Sequence, residues 1–358
     1  MRNKSYQVTA ADVAKLAGVS PASVRRVFNP DWSLNVKEDI KNRVEAAAKE
    51  LNYTPNMYAR MLASNRSNMI AVVLGSKTGK FYSQVFMQFL YQAQSRGRQV
   101  LPFTLKEDME LNKIVDVISQ YRVDAIVVTS AANYLFEQPV SGDVPVIVFF
   151  DQVNEESNIA SIQSDSYNGG QIVADILLDN GHEKIAFISG NGGKSKDFKR
   201  ENGFADRMMA RGIKLWKKEI GIYADYVSGR DAVDRIMSGE EHPDAIFCAD
   251  DILAMAAIDT LRYSYNKSVP EDISVIGFHD IAEAALPAYA LTTIHSPISE
   301  LVQATLEYIE HIDEYKDGTF KRLLKMRPII RETVRITNPE YEKFRLQDDE
   351  IVFVTEYS

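Results

Sequence analysis

The sequence predicts a small all-α headpiece followed by a larger α/β body of two lobes, each built on a parallel sheet. Three observations predict it. Residues 1–54 carry apolar side chains at helical spacing and no strand-like run. From residue 69 onward, short apolar runs alternate with helix-length stretches. That alternation then repeats, and 358 residues suffice for two or three domains with a core each.

The first stretch, VTAADVAKLAGVSPASVRRVFN over 8–29, contains two helices with a very short connection. Thr9 is placed to cap the first, with Asp12 reaching back to the exposed amides and Val13, Leu16 and Ala17 on one face. Gly18 stops it. Ser20 offers a second cap, Pro21 sits at the first helical position, and Val24, Val27 and Phe28 supply the second apolar face. So tight a turn forces a steep crossing, where Ala14 permits close approach, Gly18 takes positive φ and Val24 fills the angle. This is a helix-turn-helix pattern, although a plain helical hairpin shares these offsets by chance. A third helix is expected over 36–51, with Val44, Ala47, Ala48 and Leu51 in register.

In the body, strands are expected at 70–74, 100–104, 125–129 and 146–149, with helices at 84–95 and 111–121 between them. A second set has strands at 185–188, 245–248 and 275–278 and helices at 169–178, 198–211, 230–237 and 252–261. Two such sheets make two Rossmann-like lobes facing across a cleft, at the carboxyl ends of the strands where open α/β sheets bind ligands. The tail after Pro339 lacks leucine heptads, and 350–357 alternates like a strand.

Composition sets the remaining bounds. A hydrophobic content of 45% with 25% charged residues is that of an ordinary globular protein, and the longest apolar run, near 144–150, is strand-sized. No membrane span is expected, and the N-terminus lacks a signal-peptide core, so the expected location is the cytoplasm. The single Cys248 excludes an internal disulfide and is expected to fill a core strand. The net charge is −9, yet residues 1–66 hold 11 Lys and Arg against 6 Asp and Glu. The headpiece end is therefore basic and the body acidic, which suits a phosphate-facing end and a repelled body.

Taken together, DVAKLAGVSPASVRRVFN, RVEAAAKELNYTPN and ARMLA resemble the headpiece and hinge of the LacI/GalR family of bacterial transcription regulators. RENGF at 200–204, CADDILAMAA at 248–257, VPEDISVIGFHD at 269–280, LTTIHSP at 291–297 and RPIIRETV at 327–334 resemble its effector-domain signatures. The resemblance implies a periplasmic-binding-protein-like effector domain whose chain crosses between lobes three times. It divides the chain into a headpiece at 1–54, a hinge helix and linker at 55–68, lobes at 69–337 and a tail at 338–358. Lobe 1 would hold about 69–164 and 297–321, and lobe 2 about 165–296 and 326–337. It also implies a sequence-specific regulator, more often a repressor, that binds a pseudo-palindromic operator in double-stranded DNA as a homodimer. A small-molecule effector, a sugar, sugar phosphate or sugar acid, would set its affinity.

By that resemblance the second helix enters the major groove, and its first turn, Pro21, Ala22 and Ser23, reaches base edges with Arg25 and Arg26 one turn on. Ala22 would meet a thymine methyl, and Arg26 would fork to guanine O6 and N7. Arg25 departs from the family's serine, and phosphate contact is its alternative. Thr9, Ser20, Asn29, Lys37 and Tyr53 complete the implied headpiece set. The loop with Pro30, Asp31, Trp32 and Ser33 is longer than usual, and Lys37 and Ile40 stand where hydroxyl side chains often touch phosphate. In the hinge, Asn56 caps a short helix carrying Ala59, and Leu62 is the wedge that opens the central base step.

The effector positions carried over are Asp165, Arg200, Asp250 and His279, with Asp251 expected to cap the following helix. An unpartnered Arg200 would leave the cleft open and wet until a ligand closes it. His279 replaces the family's usual aspartate. Together with Lys194 and Lys196 it opens the way to an anionic ligand, whose binding would tighten as the imidazole protonates around pH 6 to 7.

Enzyme readings find little support. GNGGKS at 190–195 follows a strand, but a phosphate loop needs glycine where Ile188 stands. The five histidines show no metal-ligand spacing, no GxSxG elbow exists, and His182 is a structural turn residue. No cofactor or catalytic residue is expected. The competing classes are a solute-binding protein, which would need an export signal and no headpiece, and a nucleotide-dependent enzyme, which would show turnover.

Overall fold

The chain divides into two units, residues 1–69 with 122–124, and residues 70–121 with 125–358. The structure, a computed structural model, describes residues 8–28, 36–54, 66–75, 79–105, 111–129, 146–149, 159–190, 199–315 and 320–345.

In the first unit, α1 (Ala10–Ala17) opens on a capping box closed in both directions. Thr9 Oγ1 accepts from the Asp12 amide at 3.4 Å, and the Asp12 carboxylate accepts from the Thr9 amide at 2.8 Å. Gly18, at φ 64°, ends the helix in the left-handed region. Helix α2 (Pro21–Val27) starts from Ser20, whose hydroxyl accepts from the Ser23 amide at 3.1 Å. Helix α3 (Glu38–Glu50) completes the bundle. Val13, Ala14, Ala17, Val24, Val27, Val44, Ala47 and Ala48 form its core, with Leu51 partly buried against them. Leu16 departs from expectation and is 47% exposed. The inward stripe runs through 10, 13, 14 and 17, and the steep crossing selects Ala14 for the contact, leaving Leu16 on the flank. In the same unit the Asp124 carboxylate accepts from the Ser67 amide and hydroxyl and the Asn68 amide, at 2.7, 2.9 and 3.0 Å, which fixes the end of the linker.

The second unit takes up the chain within β1 (Met69–Gly75) and continues through α4 (Lys80–Ser95), β2 (Gln99–Leu105), α5 (Leu111–Ser119), β3 (Ala125–Thr129), β4 (Val146–Phe149) and β5 (Ala160–Ser164). After α6 (Ser166–Asp179) come β6 (Ile185–Ser189), α7 (Lys199–Ala210), β7 (Lys217–Ile220), α8 (Tyr226–Met237), β8 (Ala245–Cys248), α9 (Asp251–Ser264), β9 (Ser274–Ile276) and β10 (Thr293–His295). The chain ends through α10 (Ile298–Glu310), β11 (Lys321–Leu324) and β12 (Arg327–Ile329). One sheet has the order β11-β5-β4-β3-β1-β2 and the other β7-β6-β8-β9. The described registers within both are parallel, beginning with Ile70 opposite Ala125 in the first and Ile185 opposite Ala245 in the second. β3 and β6 are buried at every position, as parallel strands covered on both faces require.

Helix α10 packs on α4, and β11 joins β5 in the first sheet. β12 then pairs antiparallel with β10, and Thr333 accepts from the Val275 amide beside the second sheet. The chain thus visits the sheets alternately. Cys248 is fully buried in β8. Strands β7 (KKEI) and β11 (KRLL) escape the sequence pattern because they are polar edge strands, where charge guards the open side.

Part of the tail is anchored. Tyr341 donates to Asp179 at 2.8 Å, Phe344 accepts from the Ile330 amide at 3.0 Å, and both rings pack on the second core. The strand-like stretch 350–357 lies outside the described residues. No described helix is long and apolar enough to cross a membrane.

Candidate functional site

The first candidate surface is the outer face of α2. Val24 and Val27 point into the headpiece core, which turns Pro21, Ala22, Arg25 and Arg26 to solvent. Ala22, Arg25 and Arg26 stand at i, i+3 and i+4, so they form a single outward stripe. Among the described residues neither guanidinium makes an ion pair. Ser23 is half-buried and its hydroxyl lies 3.0 Å from that of Ser20, so both serines are partly spent on the cap, as Thr9 is on its own. Lys37 is exposed at the start of α3. Ile40 packs on the headpiece core, so its side chain is turned away from any phosphate. Tyr53 lies against Phe28 at 5.9 Å between ring centroids. Asn29, Asn56, Ala59, Leu62, Lys194, Lys196 and the loop 30–33 lie outside the described residues.

The second site is assembled around Arg200, at the start of α7. Helices α6 and α7 cross so closely that a Cβ on Gly170 would lie 2.0 Å from the Arg200 carbonyl oxygen, and one on Gly203 would lie 1.9 Å from that of Tyr167. This glycine-lined crossing fixes where Arg200 begins. Its guanidinium donates to the Ala249 carbonyl, lies 2.9 Å from His279 Nε2, and stacks 4.4 Å above the Phe278 ring. The expectation of a guanidinium without partners is therefore corrected: the chain's own groups satisfy it.

His279 is 7% exposed, with Nδ1 3.1 Å from Ser296 Oγ and its ring stacked on Phe81 at 3.7 Å and 21°. A guanidinium can only donate, so Nε2 is the acceptor and the proton sits on Nδ1, directed at Ser296. Burial, with Arg200 beside it, pushes this imidazole's pKa well below its ordinary value. Protonation around pH 6 to 7, the basis of the anionic-ligand expectation, is corrected accordingly. The backbone here is strained, with φ 108° at His279 and 61° at Asp280. Asp280 holds it in place, accepting from Arg331 Nη2 and pairing with His295 Nδ1, both at 2.8 Å.

The cap expected of Asp251 is supplied by Asp250 instead. Asp250 is the cap of α9, accepting from the Ile252 amide at 2.9 Å, and burial raises its pKa to about 6 against the pull of that amide and Arg200. Asp251 is fully buried, where it accepts from Thr293 Oγ1 at 2.6 Å and the Ile281 amide at 2.8 Å. It ties the 277–281 loop to α9, and only a glycine fits at 277, since a Cβ would meet its Oδ1 at 2.2 Å. Asp165 caps α6 through the Asn168 amide at 3.0 Å. Arg200, Asp250 and His279 thus share one cluster, Arg200 touching His279 directly and Asp250 by charge. Sequence reasoning missed Phe81, Ser296, Asp280 and Arg331. Phe81 has the pattern of an ordinary core residue, and only the fold brings it to His279.

Comparison with known proteins places both parts of the chain in a family. The family described as "Bacterial regulatory proteins, lacI family" matches residues 9–56, and "Periplasmic binding protein-like domain" matches 174–334. The ribose operon repressor of Escherichia coli K12 is 32% identical over 307 residues, covering 85% of this chain and 92% of its own. The HTH-type transcriptional repressor PurR of Photobacterium profundum is 30% identical over 339 residues, covering 92% and 99%. Among solved structures, a lac repressor dimer bound to operator and the anti-inducer ONPF matches with a TM-score of 0.76 at 23% identity, over 92% of this chain and 100% of that one. These relatives are transcriptional repressors, and the enzyme and transport readings fall away. The chain belongs to the LacI family of bacterial transcription regulators, a DNA-binding repressor headpiece carried on a periplasmic-binding-protein-like effector domain.

Proposed function

We propose that the protein represses transcription from the cytoplasm as a homodimer on a pseudo-palindromic operator, released or recruited by a small polyhydroxylated molecule bound between its lobes. The observation that carries the DNA half is the exposed Ala22, Arg25 and Arg26 stripe on a helix capped at both serines' expense. Arg26 reads guanine, Ala22 meets a thymine methyl, and Arg25 and Lys37 hold phosphate. Residues 1–54 act as the headpiece and 55–68 as hinge and linker, with Asn56 capping the hinge helix and Leu62 entering the minor groove.

For the effector, Asp165, Arg200, Asp250 and His279 are the contacts. A neutral imidazole beside carboxylates that accept hydroxyls favours a neutral sugar over a sugar acid or phosphate. A solved CelR–cellobiose complex of the same fold, with a TM-score of 0.66, holds a sugar. Exposed apolar side chains on the body, Met87 and Tyr91 on α4 and Tyr226 and Val227 on α8, support dimerisation through the lobes.

Selection of duplexes from a random pool, followed by thermal-shift screening against neutral sugars, sugar phosphates and sugar acids, tests the proposal. A two-fold symmetric consensus and stabilisation by a neutral sugar are expected. Recovery of unrelated sequences would overturn the operator reading, and stabilisation by acids alone the sugar reading.

A further inference from the structure

Two residues at the start of α4, on the first sheet, reach the loop that follows β9 on the second. The Phe81 ring lies flat on the imidazole of His279, and Lys80 Nζ lies 2.9 Å from the Glu283 carboxylate. The far edge of the same imidazole is fixed by Ser296 and Arg200. Its backbone is held in the left-handed region by the Asp280 contacts to Arg331 and His295 and by the His279 amide, which donates to Ile294 at 2.8 Å. A ring in this position is gripped from the first lobe on one face and from the second at both nitrogens.

We infer that Phe81 and His279 form a built-in clasp between the lobes, with His279 standing on Arg200 in the place of a ligand acceptor. This rests on the reading of Arg200 as an effector residue. A ligand must then bring its own oxygen acceptor to Arg200, turning the imidazole off the guanidinium and onto itself and releasing Phe81. Effector chemistry and lobe closure are coupled through one side chain. The lobes close on the chain's own groups, and the effector works by undoing that closure.

Distance measurement in the full chain tests this directly. Cys248 is fully buried, so spin labels attach selectively at cysteines introduced for Val117 on α5 and Met209 on α7, which are 46% and 73% exposed. Diluted into an excess of unlabelled chain so that each dimer carries one labelled protomer, and without added ligand, the protein is expected to give a single narrow distance distribution. Phe81→Leu keeps apolar bulk and loses the stack, and His279→Gly removes the ring while suiting the backbone. Each is expected to add a longer-distance population, moving the closed-to-open ratio by about two- to ten-fold, the range for one aromatic pair. A broad distribution in the parent protein, or an unchanged one in both variants, would overturn the clasp. Operator binding is measured on the same samples. Its absence would fail the functional reading and leave the clasp result standing, whereas intact binding with unchanged distances would fail the clasp alone.

Discussion

Arg200 Nη1 stands 2.9 Å from His279 Nε2, a contact that joins burial in keeping the imidazole neutral and occupies the guanidinium a ligand would otherwise meet. A histidine placed this way is a neutral acceptor at one nitrogen and a donor to Ser296 at the other. Of this pair, Arg200 carries the positive charge and His279 does not.

The pH dependence follows with opposite signs at two groups. In the unfolded chain a histidine titrates at about 6.5. Folded His279 titrates well below that, so it withdraws stability as pH falls through the unfolded value. Asp250 is raised to about 6, above the unfolded carboxylate, so it adds stability as pH falls through its folded value. Between about pH 7 and 5, His279→Gln should lose less melting temperature than the parent, and Asp250→Asn, which keeps a capping side chain, should lose more. Parallel melting curves for all three proteins would contradict both assignments.

Arg26→Ala should cost about 1 to 3 kcal/mol on the selected operator and far less on random duplex. Arg25→Ala should weaken both almost equally and lower the salt dependence. Fluorescence anisotropy at two salt concentrations separates them, and equal losses from Arg26→Ala would reduce it to a phosphate contact.

Gly203→Ala tests the helix crossing that places Arg200. With a carbonyl oxygen 1.9 Å from the new carbon, α6 and α7 must separate, at a cost of about 3 kcal/mol or more. Chemical denaturation measures this, and a neutral substitution would show that the crossing is looser than its geometry states.

The headpiece was legible because its signals are local. Thr9 with Asp12, Gly18, and Ser20 with Pro21 each fix a helix end within four residues, and the structure places all three as the sequence implies. Leu16 was misplaced because an eight-residue helix offers two overlapping apolar stripes, and the partner helix chooses between them. At Asp250 and Asp251 the sequence contains two adjacent carboxylates, either able to cap. Only the distant Thr293 and Ile281 amide, which claim Asp251, decide the matter. The strained turn at His279 has no local signature either, since contacts from Asp280, Ile294 and Phe81 impose it.

Truncation after Asn338 removes the Tyr341 and Phe344 rings from the second core together with the Tyr341 bond to Asp179. The shortened protein should remain dimeric and bind operator, but lose about 1 to 3 kcal/mol of stability. Sedimentation and denaturation measured together check both halves. Monomers would assign the tail to assembly.

Under the proposed function, a molecule at Arg200 governs affinity for DNA at the headpiece. The most direct measurement is an operator titration by anisotropy, with and without the sugar that stabilises the protein in thermal-shift screening, on the parent and on Arg200→Ala. The sugar should change operator affinity of the parent by about 5- to 150-fold, the usual range of such coupling. In Arg200→Ala, which also frees His279 from its guanidinium partner, the response to sugar should vanish whatever the operator affinity without sugar. An operator affinity that no cleft-binding sugar alters, or a variant that responds as the parent does, would contradict it.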